Sequence, residues 1–142
     1  MAGQTGKSNT TWVLLLASAA NLMVALDAMV VTTALTRIGR ELGATIEALE
    51  WTVNAYTLSF AAFFLLAAAL GDRFGRLRMF VVGLLLFVAA SAACALAPNI
   101  VWLIAARAIQ GIGAAVVMPL GLTQIGVAFP PERRAWALGI YS

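Results

Sequence analysis

Charge is what this chain has least of. Only 11% of its 142 residues are Asp, Glu, Lys or Arg, 63% are hydrophobic and the mean hydropathy is +0.96, whereas an ordinary soluble domain carries about 25% charged residues. A soluble globular fold is excluded. Cysteine is scarce too: Cys94 stands alone in an apolar run, so no intrachain disulfide can form, and it reads as a small buried or lipid-facing residue. Gly6-Lys7-Ser8 lacks the upstream glycine of a phosphate-binding loop, since Met1 occupies that position. Asn9-Thr10-Thr11 fits a glycosylation acceptor but falls in a tail that the charge distribution places in the cytoplasm. The first apolar stretch is too long for a cleaved signal peptide and is followed by Asp27 and further apolar residues. No catalytic residue, metal site or cofactor is assigned, and no enzymatic activity is expected.

What the chain has instead is long uncharged runs: residues 8–26, 51–71, 79–106 and 108–131. Each is near or above the roughly 18 to 20 residues that cross a bilayer as a helix. They are apolar on both parities, which excludes a transmembrane barrel with its alternating strands. The spacing predicts an all-α, multi-pass membrane protein with helices over residues 12–34, 51–70, 79–97 and 101–128, and a fifth beginning near Trp136. Residues 1–11 form a tail. The connections are residues 35–50, 71–78, Pro98-Asn99 and 129–135. Trp12, Trp51, Trp102 and Trp136 fall near predicted helix ends, where amphipathic rings favour the headgroup zone.

The pI near 9.8 does not indicate nucleic-acid binding, because the cations sit in short connections beside the spans. Lys7, Arg73, Arg76, Arg78, Arg133 and Arg134 fall on one side, and Arg37 and Arg40 on the other. The side with the larger count is cytoplasmic, which places the N-terminus inside and the protein in the cell (inner) membrane.

Two full charges lie inside spans, Asp27 and Arg107. Each costs about 2.5 to 3.5 kcal/mol at a helix centre on an insertion scale. Asp27 lies seven residues before the predicted end of helix 1, and Arg107 six residues after the predicted start of helix 4. At about 1.5 Å per residue both sit some 9 to 11 Å below the outer boundary, level with Asn54 and Tyr56 on helix 2. One reading is an ion pair that merely joins two helices. The stronger is a pathway residue and its partner, since intramembrane ionisable groups usually line a route for ions or substrate. Burial disfavours a carboxylate and a nearby guanidinium favours it, so a movement that changes their separation would load and unload a proton. Helix 4 also carries Gln110, Gly111, Gly113, Ala114 and Met118, a run of small residues suited to close backbone approach, and Pro119, which predicts a bend. Helix 3 is nearly devoid of polar groups and reads as lipid-facing.

These residues resemble a known family. Leu103, Arg107, Gln110, Gly111, Gly113, Ala114 and Ala115 fit the helix 4 pattern of proton-coupled members of the major facilitator superfamily. Residues 70–76, with Asp72, Arg73, Gly75 and Arg76, resemble the superfamily's loop between helices 2 and 3, although Ala68 and Leu77 replace a glycine and a basic residue. Asp27, Val30, Val31, Ala34 and Leu35 are similar to the helix 1 pattern of the fourteen-helix EmrB/QacA-type drug:proton antiporters, with Met29, Thr32 and Thr36 as departures.

The resemblance implies the N-terminal part of a proton-coupled multidrug efflux antiporter. It would exchange a lipophilic, often cationic compound for protons by alternating access, with the proton gradient as energy source and no cofactor. Asp27 and Arg107 would couple the proton. Asn54, Tyr56, Gln110 and Met118 would line the cavity, and the loop residues Asp72, Arg73, Gly75 and Arg76 would take part in the conformational change. The lipid bilayer and the remaining helices of the transporter would be its partners. The alternatives are a facilitator or symporter of another metabolite and a non-transporting four-helix assembly protein.

The charge distribution predicts that an impermeant thiol reagent added from outside, in a chain with Cys94 replaced, misses Ser8→Cys and labels Thr45→Cys. The reverse pattern would invert the topology.

Overall fold

The computed structural model describes the backbone from Gly3 to Ser142 and the side chains from Thr10 onward. Lys7 and Ser8 therefore lie outside the described side chains. Among the described residues the chain is helical: α1 spans Gly3–Leu42, α2 Ile46–Phe74, α3 Arg76–Ala95, α4 Ile100–Ala128 and α5 Pro131–Tyr141. The first four are long and apolar enough to cross a membrane.

The helices outrun the apolar spans for a physical reason. A charge ends a hydrophobic run without breaking a helix, so α1 begins well before Trp12 and continues past Ala34 through Arg37 and Glu41, which form an i,i+4 ion pair at 2.8 Å. It stops at Gly43, whose φ of 60° only glycine adopts freely. α2 starts before Trp51 because the Thr45 hydroxyl caps it, accepting from the Ala48 amide, with Glu47 in the first turn. Gly75, at φ 98°, separates α2 from α3. The connection expected over residues 71–78 is thus mostly helix, and α3 starts at Arg76 rather than Met79. Asn99 accepts from the Trp102 amide and caps α4. α5 starts at Pro131, in the first turn where a proline costs no hydrogen bond, and not near Trp136.

α4 is the centre of the bundle, packed most extensively against α2 and α3. Its Ala114, Val116, Val117 and Leu120 are buried with Ala20 and Val24 of α1, Ala67 of α2, and Phe80 and Phe87 of α3. A second cluster joins Leu14 and Ala17 of α1 to Ile125, Phe129, Ala137 and Tyr141. α3 is not uniformly outward. Its Gly83 and Phe87 are buried, while Val81, Val82, Leu85 and Val88 remain exposed as a lipid-facing surface would require. α4 continues as helix through Pro119, and the Thr123 hydroxyl donates to the Pro119 carbonyl at 2.8 Å.

The small residues of α4 are needed where backbones meet. A Cβ on Gly113 would stand 2.8 Å from the Phe87 backbone nitrogen and 3.0 Å from the Gly83 carbonyl oxygen, while one on Gly111 would collide with the Tyr56 carbonyl. Neither neighbour can rotate away. Gly126, on the same helix, has open space around it. Gly113→Val should therefore destabilise the bundle by about 1 to 3 kcal/mol as overpacking does. Gly126→Ala should be neutral or gain about 0.5 to 1 kcal/mol from lowered chain entropy. Thermal unfolding in mild detergent measures both, and equal midpoints for Gly113→Val and the parent would refute the close α3–α4 approach.

Candidate functional site

Helix direction brings the two buried charges together. α1 and α4 run antiparallel, and the spacing of Ala17, Ala20, Val24 and Asp27 puts Asp27 on the same face of α1 that packs into the bundle. Arg107 is 2% exposed and on the facing side of α4. Its Nη1 donates to Asp27 Oδ2 at 2.6 Å and to Gln110 Oε1 at 2.8 Å. Gln110 Nε2 donates to Asp27 Oδ1 at 2.8 Å, so both carboxylate oxygens are engaged. Gln110 follows Arg107 by three residues, which places both on one face of the helix.

α2 holds the other side of the guanidinium. Arg107 Nε donates to the Thr52 carbonyl at 3.4 Å, and the guanidinium carbon lies 4.4 Å from the centroid of the Tyr56 ring. The ring's negative face favours a cation there. α3 adds one contact: the Cys94 thiol donates to Gln110 Oε1 at 3.6 Å. Four helices thus converge on one buried ion pair. Such a pair answers the desolvation of each ion only with further hydrogen bonds, which Gln110 and the Thr52 carbonyl supply here. A helix displacement that parts α1 from α4 would break both hydrogen bonds to Asp27 at once.

Among the residues singled out from the sequence, Asp27, Arg107, Gln110 and Tyr56 meet in this network. Asn54 and Met118 do not. Asn54 is exposed on α2 and lines a groove of about 790 Å³ with Leu35, Gly39 and Arg40. Met118 follows Arg107 by eleven residues, about 16 Å along the helix. Its carbonyl accepts from the Tyr141 hydroxyl at 2.9 Å. Asp72 pairs with Arg76 at 3.1 Å on the surface, at the opposite end of the bundle, while Arg73 lies over the Phe74 ring at 5.6 Å. Gly111 and Gly113 set the close approaches already described, and Pro119 lies a turn and a half beyond Ala114.

Sequence reasoning gave no part to Thr52, Cys94, Asn21 or Tyr141. Thr52 acts through its backbone carbonyl, which no side-chain pattern reveals. Cys94 reaches Gln110 only through the register of the α3–α4 hairpin. Asn21 was legible as a polar residue inside an apolar run: its Nδ2 donates to the Tyr141 carbonyl at 2.8 Å and ties α1 to α5.

Comparison with known proteins agrees with this architecture. The family model of the Major Facilitator Superfamily matches residues 17–142. The chain is 41% identical over 121 residues to the multidrug resistance protein Stp of Mycobacterium tuberculosis (strain CDC 1551 / Oshkosh), covering 84% of this chain and 22% of that protein. It is 42% identical over 140 residues to the cephamycin export protein CmcT of Amycolatopsis lactamdurans, covering 97% and 29% respectively. It is 41% identical over 131 residues to the puromycin resistance protein pur8 of Streptomyces alboniger, covering 92% and 26%. The chain spans about a quarter of the length of these relatives. With a bundle of membrane-length helices, a buried charge network across them and a family match over most of its length, this chain belongs to the major facilitator superfamily.

Proposed function

We propose that this chain forms part of a proton-coupled exporter of lipophilic, often cationic compounds, working by alternating access in the cell membrane with its N-terminus in the cytoplasm. The observation that carries this reading is the Asp27–Arg107–Gln110 network, a partly buried carboxylate among membrane-length helices with both oxygens bonded by groups from one neighbouring helix. The names of the relatives, a multidrug resistance protein, a cephamycin export protein and a puromycin resistance protein, support export as the direction.

Asp27 is the proton carrier in this scheme. With α1 and α4 in register, Arg107 and Gln110 stabilise the carboxylate. When the helices shift, the carboxyl loses its donors inside an apolar bundle and takes up a proton, because a neutral acid is far cheaper there than an unpaired anion. Arg107 in turn is left facing the Thr52 carbonyl and the Tyr56 ring, which hold it in place. Release follows when the pair reforms. The gradient supplies the energy, and no cofactor takes part. Tyr56 and Gln110 would border the substrate cavity, and the Asp72–Arg76 pair would help hold one facing of the transporter.

In the complete transporter, Asp27→Asn should abolish gradient-driven export while preserving membrane insertion, since a neutral amide of similar shape keeps one acceptor and is cheaper to bury but cannot release a proton. Export that still collapses only when the gradient is dissipated would remove Asp27 from the role of carrier.

Arg107→Lys should impair export nearly as much as Arg107→Ala. A planar guanidinium bonds Asp27, Gln110 and the Thr52 carbonyl together, whereas an ammonium is a single point charge on a flexible stem. Near-parental drug efflux by the lysine variant would show that charge alone suffices and would favour a plain helix-joining pair.

A further inference from the structure

A carrier placed beneath the outer boundary must be reached by protons, and two cavities lie between Asp27 and the end of the bundle nearest to it. Beside the ion pair lies a cavity of about 220 Å³ whose inner wall is Asp27, Arg107 and Gln110, with Ser91 and Cys94 contributed by α3. A second cavity, of about 260 Å³, extends to Glu41, Leu42 and Ala97 at the end of the bundle that carries the α1–α2 and α3–α4 connections. The two share Ile38, Cys94, Ala95 and Leu103 as wall residues, so they adjoin end to end. Water occupies about 30 Å³ per molecule in the liquid, and it enters cavities that offer polar partners. Both cavities are roomy enough for several molecules.

The polar groups are spaced along the way. Glu41 is exposed at the mouth and paired with Arg37, its neighbour one turn back on α1. The Cys94 thiol stands between the cavities and Ser91 borders the inner one. Asp27 lies at the inner end, faced by Arg107 and Gln110 from α4, with Tyr56 of α2 behind the guanidinium. Where the two cavities adjoin, the shared wall is apolar apart from the Cys94 thiol, with Ile38 from α1 opposite Ala95 and Leu103 from α3 and α4. From Glu41 to Asp27 is fourteen residues of α1, about 21 Å.

We propose that these adjoining cavities, walled by α1, α3 and α4 with Thr52 of α2 at the inner end, form a water-filled route by which protons reach Asp27 from the external side, with Ile38 and Leu103 as its neck. The route rests on the reading of Asp27 as proton carrier. Its geometry can be tested independently, because Cys94 lies on it.

The probe is Ag⁺, which is close to water in size and reacts with thiols. It is applied from outside to membranes containing the complete transporter with Cys94 as its sole cysteine. After a timed pulse the protein is unfolded and the thiol still open to N-ethylmaleimide is counted. External Ag⁺ should block Cys94, with Ile38→Phe slowing the block at least tenfold and Ile38→Ala hastening it, an opposed pair that misfolding does not imitate. A Cys94 that stays unblocked, or a rate indifferent to both Ile38 variants, overturns the route. Substrate-driven proton uptake should slow in Ile38→Phe as well; slowed thiol block with unchanged proton uptake shows that protons travel elsewhere and also overturns it. Failure of the carrier reading is a separate outcome, seen as gradient-driven export by Asp27→Asn.

Discussion

The structure turns on the cost of holding Asp27 and Arg107 away from water. Neither ion is tolerable alone at that depth, so α1 and α4 are obliged to adopt the single register in which Nη1 of the arginine lies 2.6 Å from the carboxylate. Gln110 completes the set by donating to one partner and accepting from the other. A slip of one helical turn, about 5.4 Å, would take both donors away from Asp27. The same cost that locks the bundle in one arrangement makes any movement between α1 and α4 costly unless the lost bonds to Asp27 are replaced.

The rest of the bundle is arranged so that this network can exist. α4 must be close enough to α2 for its arginine to reach a backbone carbonyl, and close enough to α3 for its glutamine to touch a thiol. Gly111 and Gly113 provide that proximity on two sides: their missing side chains admit the Tyr56 carbonyl and the backbone of Gly83 and Phe87. In a membrane, where burial of apolar surface gives little drive for helix association, such close backbone contact and the hydrogen bonds it permits carry much of the cohesion. The exposed leucines and valines of α2 and α3 are then left to meet lipid or further helices.

This arrangement also gives the ion pair two different sides. The Tyr56 side of Arg107 belongs to the α2 face of the network, whereas the adjoining cavities that lead to Glu41 lie among α1, α3 and α4. Asn54 and Met118 do not touch the network.

The membrane class, the four spans and the depth shared by Asp27 and Arg107 were all determined by the sequence itself, because hydropathy and helical rise are local quantities that need no partner. The motif residues of helix 4 were equally legible, and so was the reason for their smallness. Helix ends were not: α1 runs through Arg37 to Glu41 and α3 starts at Arg76, since charges stop an apolar run but leave backbone hydrogen bonds intact. Which atoms meet was decided only by tertiary structure. That Tyr56 rather than Asn54 faces the guanidinium, that Thr52 takes part through its carbonyl, and that Cys94 reaches Gln110 all depend on the rotation of each helix about its axis. That rotation is set by packing among α2, α3 and α4 together, and no single stretch of sequence contains it.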